Sequence, residues 1–193
     1  MSSKRVPLRG VAASISRLNE LVGTLVQWLA LAMVALGAYN ALGRYASHSI
    51  GRTLTTNALI DLQWYFFSLI FLLGAAYGLK HDVHVRVDVL YSKLDARARA
   101  WIDLLGSIVF LLPFCLLMLW TSWAPVVNSW RIHETSPDPG GLPRYPIKSV
   151  LLVSFALLFL QGIAHALEAI GVLRGESAVD AGLDTAHHRG EGI

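Results

Sequence analysis

One cysteine in 193 residues leaves no internal disulfide and no CxxC redox pair, and that residue, Cys115, lies inside an apolar run. Charge is scarce too, at 15% of the chain. Soluble domains average about 25%, so a water-facing globule of this length is excluded. No Walker-type glycine loop, no Ser/His/Asp arrangement and no paired carboxylates in mid-span occur. The sequence therefore predicts a protein that is not an enzyme and holds no cofactor. An inverted internal repeat, which marks many self-sufficient secondary transporters, is also missing. The chain reads as one part of a larger machine.

What is present is apolar. Hydrophobic residues make up 54% of the chain and gather in four blocks, at about 21–42, 54–79, 102–123 and 147–170. A hydrocarbon core about 30 Å thick needs roughly 20 such residues per helix, because lipid offers backbone N–H and C=O groups no partners. The expected fold is an all-α membrane protein. It has four transmembrane helices within residues 21–170, with amphipathic interfacial helix segments beside them. The first block, at 22 uncharged residues, exceeds the apolar part of a cleaved signal and predicts a retained helix. Pro113 predicts a kink in the third span. Gly74 and Gly78 match the GxxxG spacing that lets helices approach closely.

Basic residues give the orientation. Eleven Lys and Arg fall in the amino-terminal segment, the second connection and the tail, against five on the opposite side. Both termini are therefore expected in the cytoplasm. This bias also accounts for the net charge of +3 without invoking a nucleic-acid partner. Trp101 marks the inner membrane face, and Trp64, Trp120, Trp123 and Trp130 gather towards the outer one.

The connections carry patterns of their own. Across residues 80–101, Val83, Val87, Leu90, Tyr91, Leu94, Ala98 and Trp101 share one helical face opposite charges. That predicts an amphipathic helix lying on the cytoplasmic surface. Val83, Val85, Val87 and Val89 also alternate, which fits a short extended start. Val11, Ile15, Leu18 and Val22 predict a second in-plane helix in residues 1–20. The third connection holds Pro137, Pro139, Pro143, Pro146 and the pair Gly140 and Gly141, composition that demands a stiff, turn-rich loop. Residues 171–193 have no period and read as a disordered cytoplasmic tail.

Few residues invite chemistry. Asp61 is the one acid well inside an apolar block, and buried acids in membranes are costly. Arg44 ends the first span at a similar depth, so a structural Arg44–Asp61 ion pair is expected ahead of a proton or ion site. His81 and His84, with Asp82 and Asp88, offer metal-ligand chemistry at short spacing, but without a second distant pair. His165 in the fourth span and His84 share the cytoplasmic side, which keeps a membrane haem protein open as an alternative. A self-contained small transporter is the other.

Specific runs carry a resemblance. They are Gly43-Arg44-Tyr45, ALIDLQWY from Ala58, LLGAAYGL from Leu72, HVRVDVLY from His84, WIDLLG from Trp101 and ETSPDPGGLPRYPIK from Glu134. Over about residues 40–170 the chain resembles the small membrane (Q-type, DctQ-like) subunit of TRAP, or tripartite ATP-independent periplasmic, transporters. The HVRVD segment and the proline-rich loop are its most specific parts. Members of that family often carry Glu at the place of Asp61, so the charge is kept with a shorter reach.

The resemblance implies a function that spacing cannot. A periplasmic binding protein captures an organic anion, commonly a carboxylate, and a large membrane carrier subunit moves it inward with sodium. The small subunit braces that carrier in the bacterial inner membrane. Ion and substrate sites are implied for the large subunit, so none is transferred here. The expected partners are the carrier, the binding protein and membrane lipids. Interface candidates are Arg44, Asp61, Trp64, His84, Arg86 and Asp88, and candidates in the periplasmic loop are Glu134, Pro137, Asp138, Gly140, Gly141 and Arg144.

Overall fold

The structure, a computed structural model, describes residues 6–51, 55–81 and 94–174. Helix α1 runs Val6–Ile50 and α2 runs Asn57–Lys80. Helix α3, Ala96–Leu105, passes through a π-helical segment, Gly106–Leu111, into α4, Leu112–Arg131. Helix α5 is Tyr145–Leu173. Four helical stretches are long and apolar enough to cross a membrane: Ala13–Ile50, Asn57–Lys80, Ala96–Arg131 and Tyr145–Leu173. Among the described residues the sole β-pairing is an isolated antiparallel bridge between Thr135 and Pro143.

Two boundaries differ from the sequence reading. The amphipathic amino-terminal residues form no separate in-plane helix, because α1 is unbroken for 45 residues. At 1.5 Å per residue it is about 68 Å long, roughly twice the hydrocarbon thickness. The face of Ile15, Leu18 and Val22 simply continues into the span. Likewise, Ala98 and Trp101 belong to the first turns of the third span, which begins at Ala96. The earlier part of the expected surface helix, with His84, Arg86, Asp88 and the alternating valines, lies outside the described residues, as does the tail from residue 175.

The third span widens where a proline demands it. Pro113 lacks an N–H, and its ring crowds the carbonyl four residues back. That carbonyl belongs to Val109, inside the π-helical segment. The kink expected at Pro113 is thus met by a wide turn just before it.

Inside the bundle the side chains are small or polar, and the large ones point outward. Buried positions include Ala76, Ala100, Cys115, Ala164, Asn19, Ser129, Ser154 and Gln161, whereas Trp28, Phe71, Phe110 and Trp120 are exposed. This is the packing rule of lipid, where close backbone approach replaces a hydrophobic drive. Gly23 lies so tightly against the Tyr77 ring that a Cβ there would overlap it, and one at Gly162 would press on Leu111 and Leu112. Polar pairs fix the register. Asn19 Nδ2 donates to Gln161 Oε1 at 2.7 Å, Asn40 Nδ2 to Gln63 Oε1 at 3.2 Å, and Ser154 Oγ to the Leu72 carbonyl. Helix α5 is central, packing on α1, α2 and the third span, while the third span packs on α5. The four spans therefore form a broad slab instead of a closed ring.

Candidate functional site

The most organised polar region joins α4 to α5. Helix α4 closes with a Schellman motif, in which Glu134 N–H reaches the Ser129 carbonyl at 3.0 Å and His133 N–H reaches that of Trp130 at 3.3 Å. Its left-handed position is held by His133, φ 47°, where glycine is usual. The chain then reverses in a narrow hairpin. Arg144 N–H donates to the Glu134 carbonyl at 2.7 Å, and Ser136 N–H to that of Leu142 at 3.1 Å. At the tip Gly141 N–H meets the Asp138 carbonyl at 3.0 Å, with Pro139 second in the turn and Gly140 third at φ 72°. That is a type II turn, whose third position needs positive φ and whose second suits proline.

Side chains from three helices hold the hairpin down. Asn57, Asp61 and Tyr65 recur every four residues on one face of α2. Asn57 Nδ2 donates to the Pro139 carbonyl at 3.0 Å, and Tyr65 OH to that of Pro143 at 2.8 Å. Between them Asp61 Oδ2 accepts Leu142 N–H at 2.9 Å. Asp61 is 6% exposed, and Gly141 sits so close that a Cβ would strike its carboxylate and Ser136. From α4, Ser129 Oγ donates to Glu134 Oε2 at 2.7 Å, and Lys148 of α5 completes an ion pair with the same oxygen. These two donors, Lys148 first, hold Glu134 below the usual carboxylate range against a smaller opposing effect of burial. Trp130 Nε1 donates to Ser149 Oγ at 2.7 Å, and its ring meets Tyr145 edge-on with centroids 4.6 Å apart.

The expected Arg44–Asp61 ion pair does not form. At that level α1 turns Gly43 inward and leaves Arg44 exposed, while Asp61 is directed at the hairpin backbone. Trp64 is 64% exposed on the outer surface of α2. Pro137 is exposed in the hairpin, and Arg144 is the residue immediately before α5. Beneath the hairpin, between α2 and α5, lies a cavity of about 350 Å³ whose lining includes Asp61, Trp64, Tyr65, Asp138, Arg144 and Lys148. All six loop candidates thus belong to the hairpin, Pro137 on its exposed side. The sequence reading missed Asn57, Tyr65, Ser129 and Lys148, though the four-residue spacing of Asn57, Asp61 and Tyr65 was a usable signal.

The family model described as tripartite ATP-independent periplasmic transporters, DctQ component, matches residues 33–171. The chain belongs to the DctQ family. It is a small permease subunit of a TRAP transporter, in a family of transport components and not of enzymes. No curated protein and no solved structure matches the chain. The matched stretch begins within α1 and takes in the whole hairpin with its α2, α4 and α5 supports.

The end of this DctQ component away from the hairpin has a polar cluster of its own. Glu20 Oε1 pairs with Lys80 Nζ at 2.5 Å and with His81 Nε2 at 2.7 Å, and Lys80 also donates to the Ser16 carbonyl. This cluster ties α1 to the end of α2. His165, a haem-ligand candidate, instead has Nδ1 3.1 Å from Ser107 Oγ. Among the described residues no three His, Cys, Asp or Glu side chains gather as a metal site would require.

Proposed function

We propose that this DctQ component braces the large carrier subunit of a sodium-coupled, binding-protein-dependent transporter for an organic anion of the carboxylate class. The observation that carries the reading is the slab-like layout, in which the third span packs on α5 and leaves most of its apolar perimeter open. Exposed apolar surface on that scale suits lipid on one side and another membrane subunit on the other. A carrier that moves one domain against another gains from a wide, rigid fixed part. The bias of basic residues supports termini in the cytoplasm and a hairpin in the periplasm of the bacterial inner membrane. There the hairpin faces the binding protein, and its cross-links to three helices keep its shape constant. Arg44 and Trp64 lie on surfaces available to the carrier or to lipid.

Affinity purification of the chain from native membranes in mild detergent tests this. One larger polytopic protein at near-equal amount is expected, with uptake of a carboxylate that needs both subunits and sodium. Recovery of the chain alone, with uptake intact in its absence, would overturn the reading. Because Cys115 is buried, a single cysteine introduced at Pro137 reports sidedness: an impermeant reagent reaches it from the periplasm if the orientation holds.

A further inference from the structure

We propose that the cavity beneath the hairpin binds the headgroup of a phospholipid carrying both a phosphate and a primary ammonium, of the phosphatidylethanolamine class. This goes beyond the bracing role and depends only on the chain being embedded in a bilayer.

The commitments of the charged groups around the cavity point there. Lys148 is held by Glu134, and one oxygen of Asp61 is taken by Leu142 N–H. Arg144 and Asp138 also line the cavity, yet neither side chain makes an ion pair or hydrogen bond with any described residue. One guanidinium that acts on Glu134 and Tyr65 through its charge alone and one unbonded carboxylate in the same cavity match a zwitterion. The guanidinium suits phosphate, being a planar donor fork that pairs two oxygens at once. The start of α5 adds the positive end of a long helix dipole beside Arg144. The carboxylate suits an ammonium with N–H bonds to donate.

The shape fits an amphiphile as well. The cavity is lined from Asp61 down to Ser68 of α2, a drop of about 10 Å at the helical rise. Charge is concentrated at the hairpin level. Deeper, the Ser68 hydroxyl is spent on the Trp64 carbonyl at 2.8 Å, leaving the Trp64 indole as an apolar wall, while Ile60 and Ile147 add apolar surface beside the charges. The head sits under the hairpin and the chains leave along Trp64, at the depth where tryptophan favours the membrane interface. Two nearby carboxylates disfavour a net anion such as phosphatidylglycerol, and a choline head has no N–H for Asp138.

Native mass spectrometry of the full chain, with the ethanolamine, choline and glycerol phospholipids added in equal amounts, tests the proposal. The ethanolamine lipid should be retained at least tenfold over the other two. Arg144→Gln should abolish that retention. Asp138→Asn, at an exposed turn whose backbone bonds are kept, should shift preference towards the glycerol lipid. If Arg144→Gln fails to fold, the Asp138→Asn shift in selectivity still decides. Equal retention of all three lipids, or two folded variants that behave as wild type, overturns the proposal. So does displacement of the lipid by millimolar inorganic phosphate, which would make the cavity a simple anion site.

Discussion

Asp61, near the start of α2, and Leu142, beyond the tip of the hairpin, are joined by a carboxylate that accepts a backbone N–H at 2.9 Å. An acid inside an apolar helix is thereby spent on main chain, not on a cation or an ion path. Its energetic weight comes from what its loss leaves behind, a backbone donor with no acceptor in a half-buried place.

Asp61→Ala should therefore destabilise the hairpin by about 1–3 kcal/mol. Hydrogen exchange at the Leu142 amide should quicken by roughly 10- to 100-fold, with the spans unaffected. Arg44→Ala should leave that amide unchanged. Equal effects of the two substitutions would restore the ion pair that the geometry denies.

The glycines at the tip make separable predictions. Gly140→Ala forces an alanine to φ 72°, a cost of about 1–2 kcal/mol. Gly141→Ala meets Ser136 and Asp61, and overpacking of this kind costs roughly 1–3 kcal/mol. Adding Ser136→Gly should rescue part of the Gly141 variant and none of the Gly140 variant. Thermal unfolding in detergent reads both.

Acid should loosen the α4–α5 junction. Glu134 is held below its ordinary range by Lys148 and Ser129. A depressed carboxylate contributes stability that is complete above its unfolded pKa and is lost as pH falls through the folded value. The unfolding midpoint should fall as the pH drops below about 4. Glu134→Gln should start from a lower midpoint at neutral pH and show a shallower fall. A variant with the same acid slope as wild type would remove Glu134 from the account.

Asn19 and Gln161 are both essentially fully buried and bonded side chain to side chain at 2.7 Å. A double-mutant cycle with leucine at each position should give a coupling of about 0.6–1.7 kcal/mol, the range of interhelical hydrogen bonds in membranes. Additive effects would mean that this pair does not help to place α1 against α5.

The spans were legible because lipid enforces one rule on every residue of a long run, and runs near Leu54 to Leu79 or Ile147 to Ile170 obey it visibly. The turn chemistry was legible too, since Pro139 and Gly140 stand in the order a type II turn requires. The partner of Asp61 was not. Charge patterning offers an acid its nearest cation, whereas a backbone N–H 81 residues away leaves no mark in composition. The join between the amphipathic amino-terminus and the first span was hidden for another reason. A polar-faced segment and an apolar one differ in pattern, yet nothing helix-breaking lies between Gly10 and Gly23, so the helix runs on.

Of the four described spans helix α5 is made last, and it is also the one on which the others converge. The ribosome therefore delivers the first two spans as a self-sufficient antiparallel pair and then a third with nothing yet to lean on. That third helix has to wait in lipid, its small inward-facing residues uncovered, until the residues from Tyr145 onward emerge. A chain stopped before that point should hold its third span unpacked from the first two. The hairpin tether between α4 and α5, already folded around Pro139 and Gly140, would shorten that wait by presenting the final helix beside the one it must catch.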